Sequence, residues 1–227
     1  NWVDPKFYQM DSFPYFANGW IIGDFKTVSS GNDYWSPLPD PFDPVFAQRA
    51  NKTAAQIAKE VQNSPWCVGV FIDNEKSWGS MGSLEAQFGI VLNTLKQDSK
   101  QSPTKAEFTR LLQQQYGTIE KLNRAWQLNG EQQMTSWQAL SKELNVGTIT
   151  PQIEADFSLL LQAYAEQYFL VVKQAVKQHL PNHLYLGARF ADWGMTPEIR
   201  AAAAKHADVV SYNYYKEGIN PDFWQFL

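Results

Sequence analysis

The residues with the clearest chemical potential follow one short apolar segment. Residues 66–72 are continuously apolar and too few for a helix, which is typical of a parallel strand covered on both faces. Four polar residues, 73–76, come directly after it. A carboxyl group held there beside an apolar ring such as Trp78 favours its protonated form, which suits general acid catalysis. We therefore predict that Glu75 is an acid/base residue and that Asn74 donates to a substrate hydroxyl, unless these residues simply begin a helix.

Two further apolar segments end in polar and aromatic residues. The segment 184–188 precedes Arg189, Asp192 and Trp193, and the segment 208–212 precedes Asn213, Tyr214 and Tyr215. Guanidinium, carboxylate, amide and aromatic groups together suit a ligand rich in hydroxyl groups, with Trp193 as a stacking platform. An Arg189–Asp192 ion pair and ring packing under a loop are the structural alternatives. A long loop, 27–43, adds the aromatic candidate Trp35.

Helical patterns separate these apolar segments. Residues 15–25 suggest an extended segment, and Asp43 before Pro44 is typical of a helix N-terminus. Further helices are predicted at 84–97, 104–115, 118–126, 150–179 and 197–206. The alternation of strands and helices, with chemistry at the strand ends, predicts an α/β fold. No glycine-rich phosphate loop follows a strand, which favours a (β/α)₈ TIM barrel over a doubly wound sheet.

Composition argues against several classes of function. The net charge is −4, so a nucleic-acid partner is not expected. No apolar run approaches the ~20 residues of a membrane span, so no membrane partner is expected either. A single cysteine, Cys67, excludes a metal site built from several thiolates. His179 and His183 are four residues apart, but Pro181 between them breaks any helix that could direct both at one metal ion. We expect no metal ion and no organic cofactor.

Longer segments of the sequence resemble a known family of enzymes. The Asn-Glu pair near the end of 66–76 resembles the motif of a large clan of retaining glycosidases. In that clan the Glu is the acid/base residue, at the end of the fourth barrel strand. The segments 15–27, 39–44, 64–66 and 187–190 (YFANGWIIGDFKT, PDPFDP, SPW and GARF) resemble the β-agarases of glycoside hydrolase family 50. The resemblance runs over nearly the whole chain.

The resemblance implies a (β/α)₈ barrel that hydrolyses β-1,4 linkages of agarose to neoagaro-oligosaccharides such as neoagarobiose. It implies a retaining mechanism with Glu75 as acid/base and Asn74 on the sugar 2-hydroxyl. Asn213 and Tyr214 would lie near the nucleophile, and no cofactor is implied. We expect agarose or agaro-oligosaccharides to contact the residues Lys26, Trp35, Trp78, Arg189, Asp192, Trp193, Asn213 and Tyr214.

One departure from the family pattern concerns the second carboxylate. A retaining mechanism needs a nucleophile about 5–5.5 Å from the acid/base, and the clan carries it on the seventh strand. We expect residues 1–227 to be a central fragment of the catalytic barrel, from about strand 3 to strand 6, truncated at both ends. The nucleophile would then lie beyond Leu227, and the fragment alone would be inactive.

Two alternatives remain open at the level of sequence. One is a non-hydrolytic galactan-binding module that uses Trp35, Trp78 and Trp193. The other is a β-galactosidase of a related barrel family, which shares the Asn-Glu pair. A polysaccharide substrate implies a secreted or periplasmic parent protein.

Overall fold

The computed structural model describes residues 6, 10, 12–191, 193–218 and 221 of the chain. Asp192, one of the predicted substrate contacts, lies outside the described residues. The described part has seven strands, β1 to β7, at Tyr15–Gly19, Thr27–Val28, Leu38–Pro39, Cys67–Ile72, Leu184–Tyr185, Arg189–Ala191 and Ser211–Asn213. Its eight α-helices, α1 to α8, are Pro44–Val61, Leu84–Gln87, Gly89–Leu95, Pro103–Tyr116, Ile119–Ala125, Trp137–Leu140, Pro151–His179 and Pro197–His206.

The strands that matter for the site run parallel. A three-stranded sheet has the order β1-β4-β5, and β6 pairs with β7 in a second parallel sheet. A backbone bridge between Asn74 and Arg189 connects the end of β4 to β6. The strands β2 and β3 form a small antiparallel ladder within the long loop that precedes α1. Parallel strands separated by helices confirm the predicted α/β class.

One predicted strand is divided in two. We expected one strand over 184–188, with Arg189 beyond its end, but β5 stops at Tyr185 and the chain turns at Gly187, whose φ is 67°. Hydrogen bonding to β7 then makes Arg189 the first residue of β6. The prediction was wrong because a local apolar run does not show where a partner strand resumes pairing. The predicted strand 208–212 is likewise displaced, since β7 begins at Ser211 and includes Asn213.

Helix termini follow their capping residues. The carboxylate of Asp43 accepts a hydrogen bond from the Val45 amide at the start of α1, as the Asp-Pro pair predicts. Thr150 caps α7 in the same way through the amide of Ile153. The single helix expected over 84–97 is instead two helices, α2 and α3, that meet at Phe88.

The core lies where the helices cover the sheet. α7 contacts both α1 and α8, α1 contacts β1, and α7 contacts β5. On β4, Val70 and Ile72 are fully buried, as a strand covered by helices requires. This packing fixes the end of β4, from which the candidate site projects.

Candidate active site

Glu75, Asn74 and Asn213 come together at the ends of β4 and β7. The side-chain amide of Asn213 donates to Oδ1 of Asn74 at 3.0 Å and to Oε1 of Glu75 at 2.7 Å. One amide therefore bridges the two residues predicted to carry the chemistry. A carboxyl held this way can exchange a proton while the neighbouring amide oxygens and N–H groups bind hydroxyls.

Tyr215 is a site residue that the sequence analysis did not select as a substrate contact. Its hydroxyl donates to the same oxygen, Oε1 of Glu75, at 2.9 Å. This hydrogen bond, together with some burial and the Glu75 charge, raises the pKa of the Tyr215 phenol. Tyr214, the residue chosen instead, has its ring 6.0 Å from Nζ of Lys216. Side chains two residues apart in an extended segment point to the same side. The choice of Asn213 as a site residue was therefore a signal for Tyr215 and not for Tyr214.

The backbone around Glu75 has an unusual conformation. Asp73 and Glu75 have φ angles of 66° and 50°, in the left-handed region that side-chain-bearing residues seldom occupy. The Glu75 amide donates to the Arg189 carbonyl oxygen at 2.8 Å, and the Asp73 amide donates to the Gly19 carbonyl oxygen at 2.9 Å. Contacts to β1 on one side and to β6 on the other therefore hold this turn.

Arg189 lies behind the site and not on an open rim. Only 7% of it is exposed, and its guanidinium carbon lies 5.2 Å from the centre of the Phe71 ring. Burial lowers the pKa of the Arg189 guanidinium, and the Tyr215 and Glu75 charges oppose that shift. Arg189 was expected beyond the end of a strand, but it lies within β6. Its contact with substrate stays a prediction.

A cavity of about 550 Å³ adjoins Asn74. Its walls are mostly apolar, and its polar members include Asp73, Asn74 and Lys76 from the end of β4. The other lining residues are Trp20, Ile21, Ile22, Gly23, Phe25, Thr27, Trp35, Ser36, Pro37 and Pro39. Apolar walls with a few polar groups suit a ring-shaped ligand that carries hydroxyl groups.

Exposed aromatic rings extend from this cavity. Trp35 and Trp193 are 61% and 41% exposed, and Tyr34 lies between them with ring centroids 4.9 Å from Trp35 and 5.9 Å from Trp193. Two predicted stacking residues thus belong to one continuous surface, here called the aromatic surface (Tyr34, Trp35 and Trp193). Tyr34, which joins them, was not predicted as a contact.

Two other predicted contacts differ in their exposure, because Trp78 is buried and Lys26 is exposed. The prediction that Trp78 contacts substrate is wrong in this structure, because its side chain is 0% exposed and packs against Tyr168, Phe169 and Phe190. The apolar ring that follows Glu75 in sequence therefore belongs to the core. Lys26 is exposed between two cavity-lining residues, and its backbone amide donates to Asp43.

The part of the chain that the structure describes holds no metal-ligand cluster and no membrane-spanning helix. Among the described residues, no three His, Cys, Asp or Glu side chains come close enough together to hold a metal ion. No helix within the same residues has the length and apolar character needed to cross a membrane.

Comparison with known proteins identifies relatives of the chain. A glycoside hydrolase family 42 model, described as β-galactosidase, matches residues 40–224. The chain is 44% identical over 222 residues to β-agarase B of Vibrio sp. strain JT0107, a match that spans 97% of this chain and 23% of the relative. The chain therefore covers about a quarter of the length of that relative. This match confirms the resemblance to β-agarases.

Solved structures agree with this similarity. The agarase AgWH50C is 55% identical, with a TM-score of 0.94, and the match spans 100% of this chain and 32% of that one. A β-galactosidase from Marinomonas ef1 has a TM-score of 0.55 at 16% identity over 86% of this chain and 29% of that one, which indicates a shared fold.

Proposed function

Because the chain belongs to the glycoside hydrolases of the β-galactosidase family, and is related to the family 50 β-agarases at 44% to 55% identity, we propose that the protein hydrolyses agarose. The reaction cleaves β-1,4 linkages and releases neoagaro-oligosaccharides such as neoagarobiose. The observation that carries the proposal is the hydrogen-bonded group of Glu75, Asn74 and Asn213 beside a cavity and an aromatic surface.

Glu75 is the acid/base residue of the proposed mechanism. In the first step its proton goes to the glycosidic oxygen as the bond to the sugar breaks, and the nucleophile forms a covalent bond to the anomeric carbon. In the second step Glu75 takes a proton from water, which attacks that carbon and displaces the nucleophile. Asn74 donates to the 2-hydroxyl of the sugar.

The nucleophile is proposed to lie beyond Leu227, at the end of a later barrel strand. The residues 1–227 would form part of a catalytic (β/α)₈ barrel, from about the third to the sixth strand. The parallel strands and the short share of each relative that the chain covers support this proposal. In the full-length protein, that carboxylate would lie about 5–5.5 Å from the Glu75 carboxyl.

Substrate binding is proposed to use the aromatic surface. Flat rings stack on the apolar faces of sugars, and Trp35 both lines the cavity and belongs to this surface. Agarose is a polysaccharide too large to enter a cell intact. We therefore propose a secreted or periplasmic location for the full-length protein.

Glu75→Gln in the full-length protein tests this function. The variant keeps the shape of the side chain and loses its proton-transfer capacity, so agarose turnover should fall by roughly 10²–10⁴-fold while oligosaccharide binding persists. Glu60→Gln, at an exposed position of α1, is the matched control and should keep wild-type turnover. Unchanged release of reducing sugar by Glu75→Gln would overturn the assignment.

A second candidate is a β-galactosidase, favoured by the description of the matched family model. It would use the same Glu75 but a smaller substrate. A chromogenic galactoside cleaved faster than agarose by the full-length protein would favour this alternative. Agarose retention without any cleavage would instead favour a galactan-binding module.

A further inference from the structure

The proposed acid/base residue follows a buried carboxylate, that of Asp73. Asp73 is 3% exposed, and its Oδ2 accepts a hydrogen bond from the hydroxyl of Tyr168 at 2.6 Å. Its Oδ1 lies 3.9 Å from Nζ of Lys76. Burial raises the pKa of the Asp73 carboxyl, while Lys76 and the Tyr168 hydrogen bond oppose that shift. Burying a carboxyl group is unfavourable unless other groups compensate it, so we ask what the Asp73 side chain contributes to the site.

Asp73 and Glu75 belong to one turn in which both residues have positive φ. Asp73 and Glu75 are two of the three non-glycine residues with positive φ in the described part of the chain. A left-handed conformation is unfavourable for a residue that carries a side chain, so the surrounding contacts must hold it. The Asp73 side chain is one of those contacts, because Tyr168 fixes its carboxylate from within the core.

Tyr168 is itself held rigidly. It is fully buried on α7, with the Phe46 ring stacked on it at 5.6 Å and the Trp78 ring edge-on at 4.8 Å. Its hydroxyl is therefore placed by packed aromatic rings. Burial and the nearby Asp73 charge raise the pKa of the Tyr168 phenol well above its usual value, so the hydroxyl stays a donor across the working pH range.

We propose that Tyr168 and Asp73 are positioning residues for Glu75, with the Tyr168 hydroxyl holding the turn that presents the Glu75 carboxyl to Asn213. This inference rests on the proposed glycosidase function. It predicts that a hydroxyl group on a core helix contributes to proton transfer without touching substrate. Small displacements of a reacting group can cost up to about 10²-fold in rate.

Tyr168→Phe in the full-length protein is the first test. It removes the hydroxyl and keeps the ring, so kcat on agarose should fall about tenfold or more while KM changes less than about twofold. Tyr116→Phe is the matched control, because the Tyr116 hydroxyl also donates to a buried carboxylate, that of Asp156, at 2.5 Å. The control should keep its kcat, whatever thermal stability it loses.

A second substrate separates positioning from general damage to the structure. In a dinitrophenyl glycoside of the oligosaccharide, the dinitrophenolate group leaves as an anion. Its departure therefore needs no proton from an acid. Tyr168→Phe should therefore cleave this glycoside at nearly the wild-type rate in the first, bond-breaking step. An equal loss on both substrates would overturn the inference, as would wild-type kcat on agarose.

Variants at Asp73 provide the conservative rescue. Asp73→Asn keeps an oxygen that can accept from Tyr168 and tolerates positive φ, so it should retain most of the kcat. Asp73→Ala should lose activity as Tyr168→Phe does, and equal losses in Asn and Ala would overturn the positioning role. If the wild-type protein cleaves no glycoside at all, the proposed function fails. If the wild-type protein is active and Tyr168→Phe has the same kcat on agarose, only the positioning role is overturned.

Discussion

The side-chain amide of Asn213 donates to Oε1 of Glu75 across 2.7 Å, joining residues that lie 138 positions apart in the chain. Asn213 belongs to β7 and Glu75 follows β4, so the contact depends on the relative placement of two strands. The same amide donates to Asn74, and Tyr215 donates to the same carboxylate oxygen. Glu75 is thus held by two donors from one short segment.

Asn213→Ala should impair catalysis by releasing the Glu75 carboxyl. A hydrogen bond to a charged group contributes about 1.5–3 kcal/mol, so we expect kcat/KM on agarose to fall roughly tenfold to a hundredfold. Steady-state kinetics of the full-length protein would measure the change. Asn51→Ala removes an amide of α1 that donates to Gln178, and this control should keep wild-type kinetics. Equal kinetics in the two variants would contradict a role of Asn213 in holding Glu75.

The two exposed tryptophans should contribute to binding and the buried one to stability. Trp35→Ala and Trp193→Ala each remove a ring of the aromatic surface, and we expect Kd for a neoagaro-oligosaccharide to rise about tenfold, or ~1.4 kcal/mol. Trp78→Phe should leave Kd unchanged and lower the melting temperature, because it leaves a void in the packed core. Titration calorimetry and thermal melting of the full-length variants distinguish these effects. A raised Kd for Trp78→Phe with wild-type Kd for the other two would reverse the structural assignment.

Lys105 should make stability depend on pH in the alkaline range. It is fully buried with its Nζ 2.6 Å from the Leu95 carbonyl oxygen, and burial lowers the pKa of its ammonium group to about 8. An unfolded lysine keeps its proton up to about pH 10.4, so between these values the unfolded state binds more protons. The free energy of unfolding therefore gains a contribution as pH rises through that interval and loses it as pH falls back to about 8.

Lys105→Met removes this contribution because methionine does not titrate. The difference in melting temperature between wild-type protein and Lys105→Met should therefore shift in favour of the wild type between about pH 8 and about pH 10. Lys52→Met, at an exposed position of α1, controls for general loss of charge and should show no such trend. A pH-independent difference for Lys105→Met would mean that Lys105 keeps its proton throughout.

Local sequence signals located some of the elements and the first part of the site. The Asp43-Pro44 pair located the start of α1, and the apolar run before Asp73 located β4. The order of strands and helices indicated an α/β fold with Glu75 and Asn74 at a strand end. These features depend on neighbouring residues, which a single sequence contains completely.

Long-range contacts decided the rest of the site. Whether Trp78 faces a ligand or the core depends on α7, about 90 residues later, and the contact between Tyr168 and Asp73 spans 95 positions. Arg189 became part of β6 only through its pairing with β7. Sequence periodicity gives the side of an element that is buried, but packing of distant elements selects which group reaches Glu75. The sequence thus determined the chemistry available at the strand ends, and the tertiary structure decided which side chains share it.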